Sequence, residues 1–271
     1  MFPFAHKSIL TIVASFISLG VFRAHAEVSD AIPQLRDLEH WTVFSLGGGN
    51  RPSQAYRHAL IDGDLGLAGI GTFLIGGHAT VDGDIYDCSN GMVLALNHAV
   101  ITGSIFYDQD ALLDNDVNEA LAASAYAFSL TPNRSNASVK IRGHHNITIT
   151  GAPGETVVLS LKNFILKGNS SFTLQGTATT TFIINVRKKF SLGGKSHIDL
   201  AGLQWNQVLF NVVGTGRKVS LGGNSIFDGI LMANNRSIEL KGGSTVTGEI
   251  IANRFKLRGS SRILHPSIVS Q

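Results

Sequence analysis

The chain has 271 residues, with 22 Lys or Arg, 19 Asp or Glu, 30 glycines and 44% hydrophobic residues. Its single cysteine excludes an internal disulfide framework, and beyond the opening segment no run of about eighteen apolar residues predicts a membrane anchor. The small net charge of +3 hides two unlike halves: residues 27–130 carry fourteen acids and three arginines, whereas residues 131–271 carry seventeen bases and five acids.

In chain order, Met1 to Ala26 reads as a signal peptide. Lys7 supplies a basic start, Ile9 to Phe22 is apolar, and Ala24-His25-Ala26 has the small-x-small form of a cleavage site between Ala26 and Glu27. The predicted product is exported, one domain over residues 27–271, and long enough to bury a core without disulfides. Cys88 then reads as a small core filler.

From Trp41 a repeat begins. Asp62-Gly63-Asp64-Leu65, Asp82-Gly83-Asp84-Ile85 and Thr102-Gly103-Ser104-Ile105 set Gly63, Gly83 and Gly103 at steps of twenty. The same phrase returns at Phe227-Asp228-Gly229-Ile230 and Val246-Thr247-Gly248-Glu249-Ile250. Residues 110–130 change period: Leu113, Val117, Leu121, Ser124 and Phe128 recur every three or four positions. This predicts a long helix with Asp110 as N-cap, Asp114, Asp116, Asn118 and Glu119 mostly on its polar side, and a stop at Thr131-Pro132.

Beyond the helix a second phrase, apolar-x-apolar-x-Gly, occurs five times. Its copies are Phe164-x-Leu166, Phe190-x-Leu192, Val219-x-Leu221, Ile238-x-Leu240 and Phe255-x-Leu257, each followed by a turn of Gly, Asn, Lys or Ser. Period-two alternation predicts a half-buried strand, and Gly permits the positive φ of a tight corner. The last Gly of each copy recurs at 26, 29, 20 and 16 residues. That spacing favours a mainly β chain, a β-solenoid of roughly 20-residue coils with one flanking helix, over a Gly-rich sandwich.

These elements carry a family resemblance. The Phe44-Ser45-Leu46-Gly47-Gly48-Gly49-Asn50 opening, the Asp-Gly-Asp repeats, the acidic helix and the series from Gly222-Gly223-Asn224-Ser225 to Ala233 resemble the choice-of-anchor A domain over about Val43 to Leu264. The resemblance implies a secreted or surface-exposed module, without that family's usual C-terminal anchor here. The layout is also similar to the large ice-binding protein family, which implies a discontinuous β-helix.

Catalytic motifs are lacking: there is no Gly-x-Ser-x-Gly elbow, His-Glu-x-x-His, Walker loop or Cys cluster. The ten histidines look scattered, and His144-His145 would point to opposite faces of a strand. Asp62, Asp64, Asp82 and Asp84 would stack at about 4.8 Å, which makes them candidate calcium ligands or, more simply, turn formers. No cofactor is predicted. Lys188, Lys189, Arg217, Lys218, Lys241, Lys256 and Arg258 recur near the second phrase and predict a basic stripe for an acidic polysaccharide or other surface component. The unlike halves could also drive self-assembly. Without basic-aromatic interleaving, nucleic acid is not an expected partner. The leading expectation is therefore a non-enzymatic, adhesin-like surface or matrix module. Ice binding is the alternative, through Thr148, Thr150, Thr179, Thr181, Thr245 and Thr247, and a polysaccharide-active enzyme is more distant.

Overall fold

A computed structural model describes residues 27–47, 51–69, 71–135 and 137–266. The proposed leader up to Ala26 and the second half of the Phe44–Asn50 motif lie outside the described residues.

The alternating segments form strands, and the described strands pair in parallel, each with the strand one coil away. Each coil has three strand positions, so the chain is a β-solenoid with three faces. On the first face, Leu166, Leu192, Leu221, Leu240 and Leu257 lie in one inward column, and Phe164, Phe190, Val219, Ile238 and Phe255 make a second. The repeated apolar phrase is thus one core position copied from coil to coil. Each fully buried Leu contributes about 1.5–3 kcal/mol of transfer free energy.

The corner after the first face explains the turn residues. Successive positive φ values occur at Arg57-His58, Gly77-His78, Asn97-His98, Gly194-Lys195, Gly223-Asn224 and Gly259-Ser260. Two adjacent left-handed residues define a tight turn for which Gly and Asn carry the least steric cost. Just after it, Ser170, Ser196, Ser225, Ser244 and Ser261 are fully buried. The Ser170, Ser196 and Ser244 hydroxyls accept the backbone N–H three residues back, whereas Ser261 donates to the Arg258 carbonyl.

The coils do not stack in chain order. Val43 pairs with Leu65 on one side and with Ile250 on the other, and Leu60–Asp62 pairs with the last strand, Arg262–Leu264. The N-terminal coils therefore continue from the C-terminal end of the stack. The chain leaving Ile105–Phe106 must return to the opposite end before Val139–Arg142 begins. The helix Asp110–Ser129 makes that return along the third face, and its 20 residues span about 30 Å.

This helix turns differently from its predicted orientation. Leu113, Asp116, Ala120, Ala123 and Ala127 face the solenoid, whereas Leu121 and Phe128 are exposed. Alanines let the helix lie close to the sheet, and they give a weak hydrophobic signal in sequence. Asp116 is buried because it accepts the indole N–H of Trp41 at 2.9 Å. The N-cap is Gln109, while the Asp110 carboxylate holds the Ser89 backbone and hydroxyl of the neighbouring coil. Asn185 and Asn211 bond the helix carbonyls of Ala127 and Ser124, and Asn234 bonds that of Ala120. A second apolar cluster, including Phe44, Ile183, Leu209, Met232 and Ile251, lies between the third face and its covering segments. No described helix is long and apolar enough to cross a membrane.

Candidate functional site

With the third face covered, the first and second faces meet solvent. Their outward columns differ because register fixes which side chains become neighbours.

On the second face one outward column contains Thr148 and Thr173, then Asp199, Asp228, Thr247, Leu264, Asp62 and Asp82, and ends at Thr102. Beside it run Asn146, Ser171, His197, Ile226, Thr245, Arg262, Leu60, Thr80 and Val100. These two columns hold no lysine and one arginine. Burial raises the carboxyl of Asp228 above its ordinary pKa, the Thr247 hydroxyl opposes this, and Asp199 adds to the rise.

The threonines predicted as an ice face separate. Thr148 and Thr150 are exposed on the second face, and Thr245 and Thr247 are half-buried there. Thr179 lies before the third face and accepts the Gly154 N–H. Thr181 is buried and donates to Thr156, so it leaves the candidate surface. Thr173, which adjoins Thr148, went unrecognised because one alternating position carries little signal until its register is known.

The four aspartates form the corner after the second face. The Asp64 carboxylate accepts the Asp84 N–H at 2.8 Å, Asp84 accepts the Ser104 N–H at 2.7 Å, and Asp82 accepts the Thr102 hydroxyl at 2.6 Å. These bonds tie one coil to the next, as turn carboxylates do. Among the described residues no group of three or more metal-ligating side chains comes together.

Three of the histidines are ordered, not scattered. His58, His78 and His98 recur at steps of twenty, and their rings stack with centroids 5.2 and 5.0 Å apart. The interval matches that of Gly63, Gly83 and Gly103, so it was available in the sequence.

The seven predicted basic residues lie on the first face and at the corner leading into it. Lys241 and Arg258 are register neighbours, and Lys256 follows Glu239. Lys218 pairs with Glu239. Burial opposes ionisation of Glu239, yet Lys218, Lys241 and Arg258 hold its carboxyl below the usual carboxylate range. Lys256 is pulled below the ordinary lysine value by burial and then by Arg258. Lys188, Lys189 and Arg217 stand farther along the corner, around a separate recess.

Comparisons with known proteins agree with this architecture. An ice-binding protein from the Antarctic ascomycete Antarctomyces psychrotrophicus is 18% identical, with a TM-score of 0.52 over 85% of this chain and 96% of that one. A glycosylated ice-binding protein from an Arctic yeast is 16% identical, with a TM-score of 0.57 over 87% and 94%. An ice-binding protein domain of Shewanella frigidimarina is 15% identical, with a TM-score of 0.54 over 86% and 97%. At these identities the likeness shows the fold, and none of the curated proteins matches the sequence. A family model covers residues 38–264, and it is this adhesive family, in place of the choice-of-anchor A domain, that the comparison supports; the chain belongs to the family described as the Putative Ice-binding-like adhesive domain.

Proposed function

We propose that the chain is an exported, non-catalytic surface-binding module whose second face adsorbs to ice. The observation that carries the reading is that face itself: a parallel sheet, covered by no described segment, whose two outward columns hold Thr148, Thr173, Thr245, Thr247, Thr80 and Thr102 together with Leu60, Leu264 and Ile226. Short hydroxyl and apolar groups on a rigid repeat of about 4.8 Å offer a weakly hydrated, regular surface to an ordered lattice. Asp62, Asp82, Asp199 and Asp228 interrupt it, which fits modest rather than strong ice affinity. The family description and the ice-binding proteins that share the fold support the same reading.

The test is ice-affinity partitioning of the purified chain beside an inert protein of similar size. Enrichment in the ice fraction is expected, and Thr148→Lys with Thr173→Lys should abolish at least half of it. Partitioning equal to that of the inert protein would overturn the proposal.

A further inference from the structure

The corner joining the third face to the first carries charge that ice adsorption does not use. Successive coils turn there through Arg187 to Lys189, the 213–218 segment, Asn234 to Ser237, Asn253 to Arg254 and Arg51 to Ser53. Two recesses open along it. One, of about 440 Å³, is lined by Arg187, Lys188, Lys189, Arg217 and Arg236 together with Thr215 and Gly216. The other, of about 410 Å³, is walled by Arg51, Lys218, Arg254, Lys256 and Arg258, with Glu239 the only carboxylate among its described lining residues. Arg217 and Lys218 are consecutive, so the recesses adjoin.

Within the described residues, Arg187, Lys188, Lys189 and Arg217 have no carboxylate partner within salt-bridge range. Arg236 is more telling because it is 3% exposed. Its guanidinium donates to the carbonyls of Gly214, Arg187, Lys188 and Val213, and so fixes the floor of the first recess. Gly216 lies against it, since a Cβ there would come within 3.0 Å of the guanidinium. A buried cation bonded solely to neutral carbonyls leaves net positive charge in a region of low dielectric. A bound anion would relieve that cost, and the surrounding lysines and arginines strengthen the attraction.

The recesses follow one another along the stack through four coil steps, about 19 Å at the strand spacing. We propose that this corner binds a linear polysaccharide bearing carboxylate or sulfate groups. Each recess has the size of a small-ligand site. Arginine supplies planar two-pronged donors for carboxylate or sulfate, and lysine supplies point charges between them. Neither lining contains an aromatic side chain on which a nucleic-acid base could stack. Asp62, Asp64, Asp82 and Asp84 of the N-terminal coils lie at the end of the second face and its corner with the third, a different corner from this one. The site is independent of the second face, so the chain could hold a polymer while adsorbing to ice.

The test is titration of the purified chain at about 0.15 M salt with an oligouronate, a sulfated glycosaminoglycan, uncharged dextran, duplex DNA and anionic lipid vesicles. Binding to the uronate or the sulfated chain, weakening as salt rises, is expected, with none to dextran. Which polymer binds more tightly separates carboxylate from sulfate recognition. The triple variants Lys188→Gln/Lys189→Gln/Arg217→Gln and Arg51→Gln/Arg254→Gln/Arg258→Gln should each weaken binding at least tenfold. Lys140→Gln/Arg142→Gln, basic positions on the first face two strands from Lys189 and outside both recess linings, should change it less than twofold. Unaltered ice partitioning and melting of both triple variants would show that their loss is local. Equal weakening by the Lys140 and Arg142 pair, absence of polysaccharide binding, or tighter binding to DNA or vesicles would overturn the proposal.

Discussion

Val43 and Ile250, 207 positions apart in the chain, are paired neighbours in the parallel sheet of the third face. Through this pair and its neighbours the first and last coils become consecutive, so neither end of the chain has its own free-standing stack. Ile250→Ala should cost about 2–5 kcal/mol, because it opens a cavity at a fully buried position of the junction. Urea unfolding followed by tryptophan fluorescence and by circular dichroism should retain a single coincident transition. Two separated transitions would mean that the coil sets fold as independent units.

The bond from the Trp41 indole to Asp116 fastens the segment just before the Val43–Ser45 strand to the returning helix. Burial raises the pKa of Asp116, an effect opposed by Trp41 and then by His40. Asp116→Ala removes the acceptor and leaves a buried indole N–H without a partner, at a cost of about 1–3 kcal/mol. Chemical denaturation measures the loss. A change below a few tenths of a kcal/mol would show that water replaces the carboxylate.

Glu249 gives the fold a pH dependence of defined sign. Complete burial raises its pKa to about 7, against the lowering effect of His265, whose Nε2 lies 3.6 Å away. Asp87 is raised to about 6, again chiefly by burial. A carboxyl with a raised folded pKa binds more protons folded than unfolded, so its stabilising effect is fully present below the unfolded pKa and is lost as pH rises through the folded value. Melting temperature should therefore fall between about pH 4.5 and pH 7, and Glu249→Gln should flatten that fall. An identical slope in wild type and variant would refute the assignment.

Glycines at the corners are not equivalent. Gly248 has φ +125°, and a Cβ there would stand 2.3 Å from the Gly229 carbonyl oxygen, whereas a Cβ on Gly71 would meet nothing within 4 Å among the described residues. Gly248→Ala should destabilise by at least about 1–3 kcal/mol from strain alone. Gly71→Ala should be neutral within about 0.5 kcal/mol. Thermal melts of the two variants side by side decide the matter, and equal effects would contradict the corner geometry.

The solenoid was legible because its repeats are local. The Leu166 to Leu257 column, the Gly-Asn and Gly-Lys corners and the long helix each leave a periodic mark that needs no knowledge of distant contacts. The candidate sites were legible only in part. Lys188, Lys189, Arg217 and Lys218 stood out as pairs, but Arg51, Arg187, Arg236 and Arg254 join them only when separated coils turn at one corner. Thr181 matched the alternation as well as Thr148 did, yet one is buried and the other exposed.

Sequence by itself determined the coil, its inward apolar columns and the chemistry of its turns, because period-two burial and left-handed backbone are properties of neighbouring residues. Tertiary structure decided the stacking order, the buried side of the helix and the grouping of charges. A parallel strand edge can accept many partners through the same backbone hydrogen bonds. Which coil follows which is therefore settled by packing between side chains far apart in the chain, as where Val43 meets Ile250 and where Trp41 reaches Asp116.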